Sequence, residues 1–393
     1  MKITQLHELV NLTVTEVLGA ESVVNEDLSN IVDIGNEIIN SDNVDNYVKR
    51  LVNHIGKVIF VNRLYAGGVP SVLVDSWEYG SILEKITAEL PNASENETWN
   101  LVDGESYNAD VFYQPKVSAK FFNSKITFEI PLSFTERQVK ESFSNATQLN
   151  GFVSMLNTSV ENAMTVRLDS LIMRTINNMI GETLAVEFGT EVEDVITVPT
   201  SLAGETGVKA VNLLHLYNTT YTDTLTVDDV LTNPEFIRFA TYHIGLYVDR
   251  ISKISTLFNA GAKERFTPKS ELHLVLLSDL QKASSVFLQS DTINKDMVTL
   301  PNHDTVPFWQ GSGTSYEFDE VTKIDVKTST GVEIETTGIL GVMFDRNALG
   351  VTNLDRRVTT NYNAKAEFYT NFYKFDAGYY NDLNENFVVF FVA

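Results

Sequence analysis

The sequence predicts an α+β protein organised along one very long helix, and three observations carry that prediction. Helical spacing of apolar residues is sustained from Thr147 to about Ile180, with Gly181 placed to end it. Two strand-like runs lie just before the helix. From Val321 onward the chain turns to aromatic-rich β character.

Residues 1–60 read as short amphipathic helices. Leu6, Leu9 and Val10 share one helix face, as do Leu28, Ile31, Ile34 and Ile38, and then Val48, Leu51, Ile55 and Val58. Polar breaks at Asn25-Glu26-Asp27 and Asn40-Ser41-Asp42-Asn43 separate them, so the helices have little to bury against one another. Such a segment is expected to lie along another surface, its own body or a neighbour's. Residues 91–110 are polar and rich in turn formers, with one tryptophan. The run from Val111 to Phe122 and the alternating Ile126-Thr127-Phe128-Glu129-Ile130 flank a turn at Asn123-Ser124-Lys125, and together read as one long β-hairpin. Exposed edges on such a hairpin are a liability in a monomer and useful where another subunit covers them.

The long helix follows. Its apolar residues include Leu149, Phe152, Val153, Leu156, Val160, Met164, Leu168, Leu171, Ile172, Ile176 and Met179. Among these Leu156, Val160, Leu168, Leu171 and Ile172 are the expected core positions. At 1.5 Å per residue the helix would reach about 50 Å, and an element of that length needs an extended body to lie along. After a loop-rich stretch at 182–222, Thr226 and Asp229 suggest a capping box, and a second helical region spans about Pro234 to Phe258. Leu272 to Leu277 is nearly all apolar, as a buried strand would be, and Ser278-Asp279 is placed to cap the helix after it. Residues 291–320 form an excursion. Strands are expected at Ile324–Val326, Gly338–Phe344, Phe368–Phe375 and Phe387–Val392.

Composition narrows the function classes. The chain has 393 residues, ample for a sizeable core, and no cysteine, which excludes disulfides, thiolate metal sites and cysteine nucleophiles. A formal net charge of -23 argues against a general nucleic-acid binder. It fits a soluble acidic protein or a container wall that DNA slides past without sticking. No apolar run is long enough for a membrane span, and the N-terminus lacks a signal peptide's features, so a cytoplasmic origin is expected. The Asn-x-Ser/Thr triplets at Asn11, Asn92, Asn96, Asn145, Asn157 and Asn218 then reflect an Asn- and Thr-rich composition.

A search for chemistry finds no catalytic, cofactor or metal motif. Walker A, dinucleotide-binding and G-x-S-x-G patterns are missing. The loop from Gly204 through Gly207 to Lys209 resembles a phosphate cradle only superficially, since its spacing is wrong. The histidines (His7, His54, His215, His243, His273, His303) are scattered, none at metal-ligand spacing. Asp228-Asp229 suits the first turn of a helix without any function. The aromatics Tyr362, Phe368, Tyr369, Phe372, Tyr373, Phe375, Tyr379 and Tyr380 fall at strand spacing, which suits core and interface better than a ligand platform.

The order of these elements resembles that of the Hong Kong 97-type major capsid proteins of tailed phages. Two stretches carry the closest likeness. One is ITFEIPLSFTERQVKESFSN (126–145) leading into the long helix. The other is GILGVMFDRNALGV with the aromatic segment RRVTTNYNAKAEFYTNFYKFDAGYYNDLNENFVVFFV. The resemblance implies a non-enzymatic shell subunit: an N-terminal arm at 1–60, an E-loop hairpin at 99–131 and a spine helix at 147–181. An A-domain at about 223–320 and P-domain strands with a closing strand at 321–393 complete it. It further implies hexamers and pentamers in an icosahedral head enclosing double-stranded DNA, with Lys116, Lys120, Phe121, Phe122 and Lys125 as E-loop contacts between subunits. Implied partners are other copies of the chain, a portal protein, a decoration protein and DNA by weak non-specific contact.

Residues 1–60 are short for a scaffolding prodomain, which points to a separate scaffolding protein. Some family members join an E-loop lysine to a neighbour's asparagine beside a glutamate. Asn361, Asn363 and Glu367 supply those types here, while the hairpin lysines read as edge protection rather than cross-linking groups. An encapsulin-like cellular shell is the alternative within the fold. A tail, baseplate or glycan-binding protein, and last an enzyme, are the alternatives outside it.

Overall fold

The computed structural model describes residues 3–18, 83–91, 95–107, 112–135, 146–192, 195–199, 201–290, 303–310 and 315–393, with isolated positions and short runs elsewhere. Side chains at 3–9, 97, 146–157, 192, 195, 288–290 and 353 lie outside that description. In chain order the elements begin with α1 (Ile3–Leu18), β1 (Leu83–Ala88), β2 (Val117–Phe122), β3 (Lys125–Thr135) and α2 (Ala146–Phe188). There follow β4 (Thr190–Val192), β5 (Val195–Thr197), β6 (Ala210–Asn212), α3 (Leu213–Tyr221), α4 (Pro234–Ile251), β7 (Leu272–Leu277), α5 (Ser278–Ser290) and β8 (His303–Val306). The chain ends with α6 (Phe318–Thr322), β9 (Ile324–Lys327), β10 (Glu333–Thr336), β11 (Ile339–Asp345), β12 (Leu349–Asn363), β13 (Phe368–Asn381) and β14 (Phe387–Phe391). It divides into two compact units, one from residues 1–76, 125–174 and 351–378, the other from 77–124, 175–350 and 379–393.

The first unit is built on the sheet β12-β13-β3, with β13 central. Residues Phe368 to Gly378 pair antiparallel with Thr135 back to Lys125. Period-two alternation puts aromatic rings on one face, where Phe128 meets Phe375 at 5.1 Å and Phe134 stacks on Tyr369 at 5.7 Å. On the other face Arg357 donates to Asp376 at 2.9 Å and Thr127 donates to it at 2.5 Å. The Arg357 hydrogen bond is the main reason the Asp376 carboxyl is held below the usual carboxylate range. In the first part of α2, Val160, Met164, Leu168 and Ile172 form a buried stripe at four-residue spacing, with Leu171 beside it. Leu156 lies on the same helix, but its side chain is outside the described residues. Val10, Val14, Ile34 and Tyr47 are buried, so these positions of 1–60 do find a core. The faces expected at Leu28, Ile31, Ile38, Val48, Leu51, Ile55 and Val58 lie outside the described residues.

The second unit is centred on a five-stranded mixed sheet of order β6-β14-β11-β7-β8. β11 pairs antiparallel with β14 and β7, while β6 and β8 add in parallel at the edges. β11 and β14 are buried throughout, which explains why both read as uninterrupted apolar runs. Trp309 is buried beside them and its indole nitrogen donates to the Ile339 carbonyl at 2.8 Å. The remainder of α2 continues the apolar stripe with Ile176, Ile180 and Leu184.

Several expectations are corrected. Gly181 does not end the long helix, which continues to Phe188 in a total of 43 residues. A Cβ on Gly181 would stand 2.5 Å from Val326 Cγ2, so the glycine lets β9 approach the helix. Thr226 and Asp229 do bond to each other, at 2.6 Å, but on a single 3₁₀ turn, and Thr226 caps no backbone N–H. The start of α4 is set instead by Asn233, whose side chain accepts from the Glu235 and Phe236 amides, with Pro234 following it. That helix stops at Ile251. Phe258 lies beyond it, its carbonyl accepting from the Phe387 amide at 2.8 Å.

The expected hairpin is re-paired. β2 pairs with β1, from Leu83↔Phe122 to Ala88↔Val117, and the strand after Asn123-Ser124 pairs with β13 instead. The hairpin therefore joins Leu83–Ala88 to Val117–Phe122 through residues 89–116, and the range 99–131 contains only its second strand. The boundary expected at 320/321 also fails, because it runs through one sheet. β7 and β8 from before it hydrogen-bond in continuous order with β11 and β14 from after it.

Candidate functional site

The β1–β2 hairpin has two chemically opposite faces, with the charged one turned inward. Strand alternation places Leu83, Lys85, Thr87, Lys120 and Phe122 on the more buried face, and Glu84, Ile86, Ala88, Val117, Ala119 and Phe121 on the exposed one. The outward face is thus mostly apolar, with Ile86 and Phe121 about two-thirds exposed at 64% and 63%. The connection between the strands adds to it. Trp99 is 94% exposed, Phe112 86% and Tyr113 83%, and Leu101, Val102 and Tyr107 are also exposed. Asn96 accepts from the Thr98 amide and hydroxyl, which forms the turn that presents Trp99. Exposed apolar and aromatic side chains on one hairpin are of the kind that partner contacts use.

The inner face is ionic. Lys85 and Lys120 stand directly opposite in the strand register, an arrangement that repels when nothing lies between. Asp382, in the turn between β13 and β14, resolves it. One carboxylate oxygen accepts from Lys85 and the other from Lys120, both at 2.8 Å. Glu385 accepts from Lys85 at 2.7 Å and faces Arg265 at 3.5 Å. Burial pushes the Asp382 carboxyl up, but the hydrogen bonds and charges of Lys120 and Lys85 outweigh this and leave it below the usual range. Phe122 packs on Tyr380 with ring centres 5.0 Å apart.

The five sequence-selected contact residues are accordingly divided. Phe121 belongs to the exposed apolar face and Lys116 is exposed in the connection. Lys120 and Phe122 hold the inner face. Lys125 is exposed at the start of β3 and belongs to the other sheet. Asn361, Asn363 and Glu367 lie at the exposed β12–β13 end, where Asn363 accepts from the Lys365 and Ala366 amides and Glu367 adopts φ 50°. Sequence reasoning missed Leu83–Ala88, Asp382 and Glu385. Strand alternation was the available signal for the first, and the acidic pair carried no signal.

Other residues with chemical potential, among them Glu187, His243 and His273, are committed to packing. Glu187 fills the space beside Gly207 and accepts from the Val208 amide and the Lys209 ammonium, so the 204–209 loop is no phosphate cradle. Burial pushes His243 and His273 below the ordinary imidazole range, and they pack against Phe239 and Phe344. Among the described residues no three His, Asp or Glu side chains are placed to hold a metal, and no helix is long and apolar enough to cross a membrane.

Comparison with known proteins then supplies the family. No curated protein matches the sequence. Solved structures with a similar chain include the capsid of Staphylococcus phage Andhra, at 10% identity and TM-score 0.49, covering 84% of this chain and 86% of that one. The capsid of Cyanophage P-SCSP1u aligns at 11% identity and TM-score 0.43, over 85% and 92% of the two chains. The capsid of Ralstonia phage GP4 aligns at 11% identity and TM-score 0.42, over 85% and 93%. The sequence profile of the Phi29-like phage major capsid proteins matches residues 10–391, nearly the whole length. That end-to-end match shows the family: the chain belongs to the Phi29-like phage major capsid proteins, the structural subunits of a virion's shell.

Proposed function

We propose that the chain assembles as hexamers and pentamers into an icosahedral head of the Hong Kong 97 type enclosing double-stranded DNA. In this reading it acts purely as a wall and catalyses nothing. The hairpin Leu83–Phe122 serves as the E-loop that overlaps a neighbouring subunit, residues 1–60 as the arm and α2 as the spine. The sheet β12-β13-β3 belongs to the P-domain and the five-stranded sheet to the A-domain. Assembly takes place in the host cytoplasm with a separate scaffolding protein. A portal protein completes the head, a decoration protein binds it, and the packaged DNA makes weak, non-specific contact with the acidic shell.

The observation that carries the proposal is the outward apolar face of the hairpin. Ile86, Val117, Phe121, Trp99, Phe112 and Tyr113 gain nothing in a lone subunit, whereas burying each against a neighbour contributes roughly 1.5–3 kcal/mol. The contact recurs in every subunit, so its loss acts on the whole lattice.

The double substitution Ile86→Thr with Phe121→Lys tests this directly, since threonine suits a strand and the lysine stands opposite Glu84. Both side chains point outward, so the subunit is expected to fold with an unchanged melting temperature. Closed shells should disappear from electron micrographs, leaving monomers or isolated rings. Shells at the yield of the unsubstituted protein would remove the hairpin from the assembly interface.

A further inference from the structure

The ion cluster beneath the hairpin has the character of a clasp rather than a core. Among the described residues β1 and β2 hydrogen-bond along their length only to each other. Apart from the Phe122–Tyr380 ring contact, what joins their inner face to the body is polar. Lys85 Nζ has three acceptors, Asp382 at 2.8 Å, Glu385 at 2.7 Å and the Asn347 carbonyl at 3.2 Å, which uses all its protons. Lys120 brings the opposite strand to the second Asp382 oxygen, and its ammonium also lies 5.6 Å from the Phe122 ring centre. Asp382 is itself fixed, its amide donating to the Ala348 carbonyl at 2.7 Å and its side chain accepting from the Asn384 amide at 3.1 Å. The Asp382 side chain is 3% exposed against 42% for Lys120, so the anion is anchored and the cations arrive from the hairpin.

We infer that Asp382, with Glu385, is an ionic latch that sets the attitude of the hairpin, and that opening it frees both strands together while the five-stranded sheet stays folded. Three properties support this. An apolar seam tolerates sliding, whereas two lysines sharing one carboxylate fix a direction. The two lysines repel once the carboxylate is neutral or gone, so a single change acts on both strands. Among the described residues the other attachments are few: at the root the Phe122–Tyr380 ring contact and the Tyr379 amide to the Ser124 carbonyl at 3.1 Å, and at the far end the half-exposed Glu89–Lys263 pair at 3.9 Å. The latch works within one subunit and does not depend on assembly.

The test is hydrogen–deuterium exchange on the full-length, unassembled subunit, comparing the unsubstituted chain with Asp382→Asn and with the double variant Lys85→Met, Lys120→Met. Exchange at 83–88 and 117–122 is expected to rise roughly tenfold in both variants, with β11 and β14 unchanged. The double variant decides the matter if Asp382→Asn fails to fold, because methionine keeps the stems of the two lysines. Hairpin exchange at the unsubstituted rate in the double variant, or an equal rise in β11 and β14, overturns the latch.

Discussion

Leu168→Asp is expected to abolish the soluble subunit. Leu168 is 1% exposed in the middle of the buried stripe Val160, Met164, Leu168, Ile172. Removing a buried leucine costs about 2–5 kcal/mol, and an aspartate with no partner there adds a desolvation penalty of several more. The sum is comparable with the whole stability of a domain, about 5–15 kcal/mol. Soluble yield and protease resistance report it. Val166→Asp on the opposite, exposed face of the same helix is the control, and should stay within about 0.5 kcal/mol of the unsubstituted chain. Equal behaviour of the two variants would mean that α2 packs on a different face.

Phe390→Ala should be the next largest effect, and it strikes the other unit. Phe390 is fully buried in β14, opposite Gly341 of β11 and Val211 of β6, and its ring meets Tyr247 edge-on at 5.4 Å. Truncation leaves a cavity beneath α4, so a loss of about 3–5 kcal/mol is expected in denaturant unfolding. Val286→Ala, on an exposed side chain of α5, should leave the midpoint within error. A Phe390→Ala loss below about 1 kcal/mol would mean that the sheet relaxes into the space, contrary to the close packing described.

Much of this architecture is legible in the residues because one physical signal dominates locally. The stripe from Val160 to Ile172 keeps helical spacing since a single face is buried there, whereas from Thr175 to Ala185 the helix is buried nearly all round. Leu272–Leu277 and Phe387–Phe391 read as strands since both their faces are covered. Legibility fails where partners are distant. Asn123-Ser124-Lys125 has the composition of a hairpin turn, and nothing local says that the next strand pairs with Phe368–Gly378. The true partner of β2, Leu83–Ala88, is hard to see because its pattern is inverted, with Lys85 inward and Ile86 outward. Gly181 looks like a helix end because its purpose, room for Val326, comes from a strand far along the chain. Asp382 and Glu385 look like ordinary turn residues until the fold brings two lysines to them. Residue order also conceals that β7, β8, β11 and β14 form one sheet.

On the proposed reading this subunit builds a closed shell through its hairpin. Negative-stain electron microscopy with mass measurement tests it most directly, on the protein expressed alone and then with its neighbouring phage genes. Closed shells, tubes or capsomer rings in either sample are the expected result. A well-behaved monomer or small oligomer in both samples would contradict it.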